Sequence, residues 1–325
     1  MLGLILYSIN FIKQTNMKQI FIILFTLCTF SSFGQKLNWI PFNWEGDSVS
    51  GKYFDKLAMT IPITIENLPH KFNMQLDLGA INTHFYGNSI KPYVDNYKIL
   101  SSKFDSSLSF RIQSQTNYMF RDVLFKLGSV SFGARNIGNF KNFGDAISKD
   151  SIITNSVKHI GTIAPDLFLD KVLIIDYQNK RICVTDKVPK QYFKASFQKY
   201  KIKDGRIKIP MTINGKEEDL MFDTGSSIFS LITTKQNALK ISENIISDSF
   251  KISSWGEYYM VYGQKITANV KFGNTVLRPT LVYYDEQKGS DKFYKEENIW
   301  GITGNLYFLD KVVIIDYKNK LFGIK

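Results

Sequence analysis

Four landmarks of this chain occur twice, in the same order, 140 to 148 residues apart. Ile61-Pro62-Ile63-Thr64-Ile65 returns as Ile209-Pro210-Met211-Thr212-Ile213. Met74-Gln75-Leu76-Asp77-Leu78-Gly79-Ala80 returns as Leu220-Met221-Phe222-Asp223-Thr224-Gly225-Ser226. Lys126-Leu127-Gly128 returns as Lys271-Phe272-Gly273, and the run from Phe168 to Lys180 returns almost unchanged from Phe308 to Lys320. Chance similarity rarely preserves both order and spacing. The period is too long for a solenoid and suits two domain-sized halves. The chain is therefore expected to fold as a duplicated unit, and any site at the junction would draw equivalent residues from each copy.

Each half reads as β. Short runs rich in Val, Ile, Phe, Tyr and Thr are separated by Asn-Lys, Asn-Gly, Phe-Gly and Asp-Gly elements. Helical periodicity is weak, with short helical turns expected only near Ser230–Leu239 and Tyr192–Gln198. Val312–Ile324 reads as a hairpin that closes its lobe. The expected fold class is all-β: two homologous, mostly antiparallel β lobes related by a pseudo-twofold axis, with a cleft between them. The N-terminal lobe is placed at residues 35–198 and the C-terminal lobe at 199–325.

Residues 1–34 are read as an N-terminal extension and signal peptide. Met17-Lys18-Gln19 precedes the apolar stretch Ile20–Phe30, and small residues follow at Ser32 and Gly34. A charged start, an apolar middle and a small-residue cleavage site make a secretory signal. Cleavage is expected near Gly34/Gln35, with Met17 the more natural start. An uncleaved anchor ranks second, because the apolar stretch is shorter than the roughly 20 residues a span needs. A lipoprotein at Cys28 ranks third. The expectation is export across the inner membrane to the periplasm or the medium, with no membrane association after cleavage. Cys183 is then the only cysteine of the mature chain, so no intrachain disulfide is available and Cys183 is expected as a packed small residue.

The net charge of +12 comes almost entirely from scattered lysines. It is read as a solvated surface rather than a nucleic-acid footprint. His70 and His159 have no ligand spacing with each other or with Cys183, so no metal site is expected. No cofactor is expected either, since neither a Gly-rich phosphate loop nor a Gly-x-Ser-x-Gly elbow is present. His84 is read as a surface or packed histidine.

The Asp223-Thr224-Gly225-Ser226-Ser227 turn follows an apolar strand, has a weaker copy at Asp77-Leu78-Gly79-Ala80, and is followed downstream in each half by an apolar-Gly turn. Those turns are Ile160–Ala164 and Trp300–Gly304. On these residues the chain resembles the aspartic proteases, both the bilobal pepsin-like enzymes and the retropepsins, over nearly the whole mature length. The resemblance implies a water held between Asp77 and Asp223. Two full charges about 4 Å apart repel by roughly 4 kcal/mol at an effective dielectric near 20, or about three pK units. One proton would therefore be shared. The ionised acid would take a proton from water while the protonated one donates to the peptide carbonyl.

The neighbouring residues have expected parts. Gly79 and Gly225 are read as allowing a tight turn beneath each carboxylate. The resemblance implies that Thr224 bonds across to the other lobe and that Ser226 supports Asp223. Lobe one departs from the pattern: Leu78 replaces the bridging Thr, Ala80 the supporting Ser, Gln75 an apolar strand residue, and Ala164 a Gly. Tyr118 in 109–123 and Tyr258-Tyr259 beside Gly256 are candidate cleft-covering aromatics, with neither preferred. Only about 22 residues separate Gln35 from the first lobe strand, too few for a long inhibitory prosegment.

The implied activity is that of a secreted or periplasmic aspartic-type endopeptidase, working as a bilobal monomer on an extended peptide or protein substrate. The alternative is an impaired or inactive peptide-binding protein of the same fold.

Overall fold

The computed structural model describes residues 37–112, 115–254, 256–278 and 280–325. The signal-like segment, Met17 and Cys28 lie outside the described residues. Both lobes fall within one compact unit, Asn38–Lys325.

The chain opens with β1 (Trp39–Pro41) and then builds lobe one. Its strands are β2 (Asn43–Val49), β3 (Lys52–Ile65), β4 (Phe72–Leu76), β5 (His84–Tyr86), β6 (Phe104–Ile112), β7 (Gln115–Leu127), β8 (Val130–Phe140) and β9 (Lys158–Ile163). Next come β10 (Val172–Asp176), β11 (Arg181–Thr185) and β12 (Ser196–Lys199). Lobe two holds β13 (Lys201–Lys203), β14 (Arg206–Ile213), β15 (Lys216–Phe222), β16 (Leu231–Thr233), β17 (Ser242–Ser254), β18 (Glu257–Ile266), β19 (Val270–Phe272), β20 (Thr275–Val276), β21 (Leu281–Tyr284) and β22 (Gly301–Thr303). β23 (Val312–Asp316) and β24 (Leu321–Ile324) finish the chain.

The duplication is explicit in the strand pairings. Lobe one runs β3-β4-β9-β5-β8-β7-β6, and lobe two runs β14-β15-β22-β16-β21-β18-β17. Each step has the same sense in both: β4–β9 and β15–β22 are parallel, β5–β9 and β16–β22 antiparallel, β5–β8 and β16–β21 parallel. The fold is all-β and mostly antiparallel, with two homologous lobes and a cleft between them.

A third sheet, β1-β11-β10-β23-β24-β12, joins the lobes. The repeated Val-Leu/Val-Ile-Ile-Asp strands, β10 and β23, lie antiparallel with Ile174 opposite Ile314 and Val172 opposite Asp316. The register is centred on equivalent residues, so the pseudo-twofold axis passes between them. The hairpins read as closing each lobe therefore pair with one another. Their strands are buried apart from the half-buried Val312, with alternate residues in the common core. Both hairpins turn by one device. Asp176 accepts from Asn179 N (3.2 Å) and Asp316 from Asn319 N (2.9 Å), while Lys180 and Lys320 take φ of 49° and 55°. An Asp side chain bonding its own turn favours such a corner and holds a non-glycine residue in the left-handed region. β12, at the 198/199 boundary, pairs with β24 in this joint sheet.

Helices are few. Thr234 caps Lys235–Leu239 through Asn237 N, within the expected 230–239 stretch. At 192–198 only a 3₁₀ turn, Lys190–Tyr192, forms before strand β12 takes over, because Ser196–Lys199 is captured by the β24 edge. Gly87–Asn96 and Lys288–Glu297 are helices that the sequence pattern did not announce. One apolar core runs through both lobes and the joint sheet, and Cys183 is buried in that sheet as a free thiol. Among the described residues no helix is long and apolar enough to cross a membrane, and no cluster of His, Cys, Asp and Glu is suited to hold a metal ion.

Candidate active site

Asp77 and Asp223 leave the ends of equivalent strands. β4 alternates Phe72, Met74 and Leu76 into the core with Asn73 and Gln75 on the opposite side. Asp77 continues the latter series toward the cleft, and Gln75 lines that cleft beside it. The polar residue at 75 thus faces solvent-filled space, which explains why an apolar one is not required there. The equivalent Met221 packs against Tyr294 and Ile299.

The two carboxyl groups face each other across the lobe junction, each lying against the glycine of the opposite loop. Backbone bonds hold each loop in its own lobe: Asp77 N donates to Ile163 O and Asp223 N to Thr303 O, both at 2.9 Å. Asp77 Oδ1 accepts from Gly79 N and Ala80 N, each 3.0 Å. Asp223 Oδ1 accepts from Gly225 N (2.8 Å), and its Oδ2 from Ser226 Oγ (2.8 Å). A backbone N–H at Ala80 therefore supports the first acid where a hydroxyl supports the second.

The glycines make the expected tight turns, with Gly79 N and Gly225 N each reaching the carboxyl two residues back, and they answer a second demand as well. Neither Gly79 nor Gly225 has positive φ. What they provide is room: a Cβ on Gly79 would lie 2.6 Å from Asp223 Oδ1, and one on Gly225 would lie 2.6 Å from Asp77 Cγ. Each glycine is pressed against the opposite lobe's carboxyl, and any side chain would push the pair apart.

Thr224 ties the loops together. Its Oγ1 accepts from Leu78 N (3.0 Å) and donates to Leu76 O (2.8 Å), fully buried. Leu78 returns no side-chain bond and instead packs into the apolar core. Its backbone N–H nevertheless keeps part of the cross-lobe link. Ala164 fits where Gly304 must stay glycine, since a Cβ at 304 would run into Ser226 O and Phe229 O.

Burial raises the Asp77 carboxyl well above the usual carboxylate range. The Asp223 charge and its hydrogen bond push the same way, and the Gly79 and Ala80 N–H groups oppose them. Asp77 keeps some surface open to the cleft yet sits deep among protein atoms, so desolvation dominates.

Several supporting residues lay beyond the sequence reading. Asn305 Nδ2 donates to Thr224 O (3.0 Å) and Ser227 Oγ (2.9 Å), and Tyr177 OH donates to Asn305 Oδ1 (2.6 Å). This chain anchors the lobe-two loop to the joint sheet. In lobe one Thr83 donates through N and Oγ1 to Asp166 and accepts from Ala164 N. Burial raises Asp166 to about 6. Aligning the halves puts Pro165 opposite Asn305, so comparing the repeats could not flag either residue. His84 is packed among Tyr86, Phe110 and Phe140, and burial lowers it to about 4.

The cleft has a volume of about 670 Å³ and is lined by both acids together with Gln75, Tyr86, Ile252 and Tyr259, among others. A groove of about 830 Å³ on lobe two, around Asn237, Asp291 and Trp300, touches neither acid.

No family model matches the chain, and no curated protein matches it. Among solved structures the chain is similar to the aspartic proteinase from Irpex lacteus, with 13% identity, 89% of this chain and 97% of that chain covered, and a TM-score of 0.47.

Proposed function

We propose that the chain is an exported aspartic-type endopeptidase that hydrolyses extended peptides with Asp77 and Asp223 as its acid–base pair. The observation that supports this reading most is the close approach of the two carboxyls, one from each lobe, each against the other loop's glycine, on loops cross-tied by Thr224. Asp77, whose proton is held by burial, is the acid. Asp223 is the base. Asp223 takes a proton from water as its oxygen bonds the carbonyl carbon, and Asp77 gives its proton to the carbonyl oxygen. The C–N bond of the resulting diol then breaks. Asp223 passes its proton to the leaving nitrogen, and a diol hydroxyl returns one to Asp77. No covalent enzyme intermediate forms. The substrate lies as a strand, so backbone bonds supply affinity and alternate pockets supply preference. A single chain suffices because each lobe brings one acid.

The rival reading is a non-catalytic peptide binder, favoured by Leu78, which gives the cross-lobe tie no hydroxyl. A peptidase assay from acid to neutral pH separates the two. Asp77→Asn and Asp223→Asn should each lower turnover by about 10²–10⁴, the usual weight of general acid–base catalysis. Peptide binding without cleavage in the wild type would leave only the rival. Secretion is tested by whether the exported chain begins near Gln35.

A further inference from the structure

The equivalent hairpins β6–β7 and β17–β18 have different surroundings. Lys251, Ile252, Ser253 and Ser254 of β17 and Tyr258 and Tyr259 of β18 line the cleft with the two acids, whereas no described residue of β6 or β7 does. On lobe one's hairpin, Tyr118 is 41% exposed and stands edge-on to Phe104, and Phe110 lies over Gly138 and His84. On lobe two's hairpin, Tyr259 pairs with Ile252 and packs in a cluster with Ile228 and Phe229. Those two residues directly follow the Asp223–Ser227 turn. Burial and the charges of Asp285 and Asp223 push the Tyr259 phenol up, in keeping with a place near the second acid.

A brace from lobe one holds this hairpin. The β2–β3 tip reaches it through Lys251 N donating to Ser50 Oγ (2.9 Å) and Ser50 Oγ to Lys251 O (3.3 Å). Lys52 pairs with Asp248, which also accepts from Tyr283 OH (2.9 Å). Phe54 packs against Phe250 with ring centroids 5.0 Å apart and planes tilted by 51°, and Val49 joins the same cluster. The wall over the acids is thus fixed by both lobes.

Resting on the hydrolase reading, we propose that Tyr259 is a positioning residue whose ring holds the peptide against the Asp77–Asp223 pair, and that the Ser50–Lys52 brace holds Tyr259 in place. Among the described residues, lobe one's equivalent hairpin has no comparable part.

The test compares Tyr259→Ala, Tyr259→Leu, Tyr259→Phe, Tyr118→Ala and the double variant Ser50→Ala/Lys52→Ala in the full chain. The readouts are kcat, KM and the Kd of a non-cleavable hydroxyethylene peptide isostere. Tyr259→Ala and Tyr259→Leu should each weaken isostere binding and raise KM by about tenfold or more, with the larger share of the loss in KM. Tyr259→Phe should stay within about threefold of wild type, because the ring is kept, and Tyr118→Ala within about twofold. The brace variant should lose roughly three- to fivefold with Tyr259 present and nothing further in the Tyr259→Ala background. Equal or greater loss in Tyr118→Ala overturns the proposal, as does an unchanged KM and Kd in Tyr259→Leu. A wild type that binds the isostere but cleaves no peptide ends the hydrolase reading and leaves the Kd comparison decisive for Tyr259. A wild type that neither binds nor cleaves ends both.

Discussion

The two lobes share a strand order and differ in how they hold their acids. Lobe two holds Asp223 with a hydroxyl and an N–H, sends Thr224 into lobe one, and anchors its loop through Asn305 and Tyr177. Lobe one holds Asp77 with two backbone N–H groups and drives Leu78 into its core. Side-chain hydroxyls do this at the lobe-two turn, and backbone N–H groups beside a packed leucine do it at the lobe-one turn. A duplicated fold fixes where the carboxyls point, and the means of holding them can then diverge.

The sharpest way to break this comparison is at the point where the lobes are equal. Gly79→Ala and Gly225→Ala each insert a methyl against the opposite carboxyl. Displacement of a reacting group by about 1 Å costs on the order of 100-fold, so both variants should lose at least that in kcat/KM. Steady-state assays with a thermal melt as control will read it, and equal losses are expected despite the unequal loops. Thr224→Val is unequal by design. It strands the buried Leu78 N–H and Leu76 O, each left unsatisfied at about 1–3 kcal/mol. Chemical denaturation should report that loss together with a drop in turnover.

Much of this site was legible in the sequence because it was written twice. The repeats gave the halves, the acids and the apolar-Gly turns, since topology and a close approach of backbone to carboxyl leave little freedom in residue type. What was not repeated stayed hidden. Asn305 has Pro165 as its counterpart, and Asp166 has Leu306. Tyr259 could not be preferred over Tyr118, because alternating aromatics mark core and cleft alike. The Val-Ile-Ile-Asp hairpins were visible as strands, but their mutual pairing about Ile174 and Ile314 is a long-range choice that no local pattern states. That Gly79 and Gly225 also make room for the opposite carboxyl was not visible in the sequence, since a tight turn and a crowded junction suit the same residue.

Leu78→Thr probes whether the missing hydroxyl matters. From sequence alone a Thr here should raise activity by restoring the second cross-lobe bond. The fully buried Leu78 alters that expectation. The change removes core methyl groups and buries a hydroxyl, at about 1–3 kcal/mol. Turnover per folded molecule should change by no more than about threefold, since Leu78 N already bonds Thr224, while the melting temperature falls. A clear gain in turnover would mean that the link through Leu78 N is insufficient.

The mildest probe is the pH dependence of stability. Asp77 binds its proton more tightly folded than unfolded, so its contribution favours folding below the ordinary carboxylate pKa of about 4 and is lost as pH rises through the raised value. Asp166, raised to about 6, acts with the same sign. Asp77→Asn removes the cost of ionising a buried group, so it should be more stable than wild type at pH 7 and show no gain near pH 4. Asp223→Asn should relieve Asp77 only of its second-ranked cause, the neighbouring charge, and leave burial, the first, in place. The neutral-pH gain should therefore be larger for Asp77→Asn than for Asp223→Asn, read as melting temperature against pH from 4 to 8. Equal gains would mean that mutual repulsion outweighs burial, and the proton would then belong to the pair rather than to Asp77.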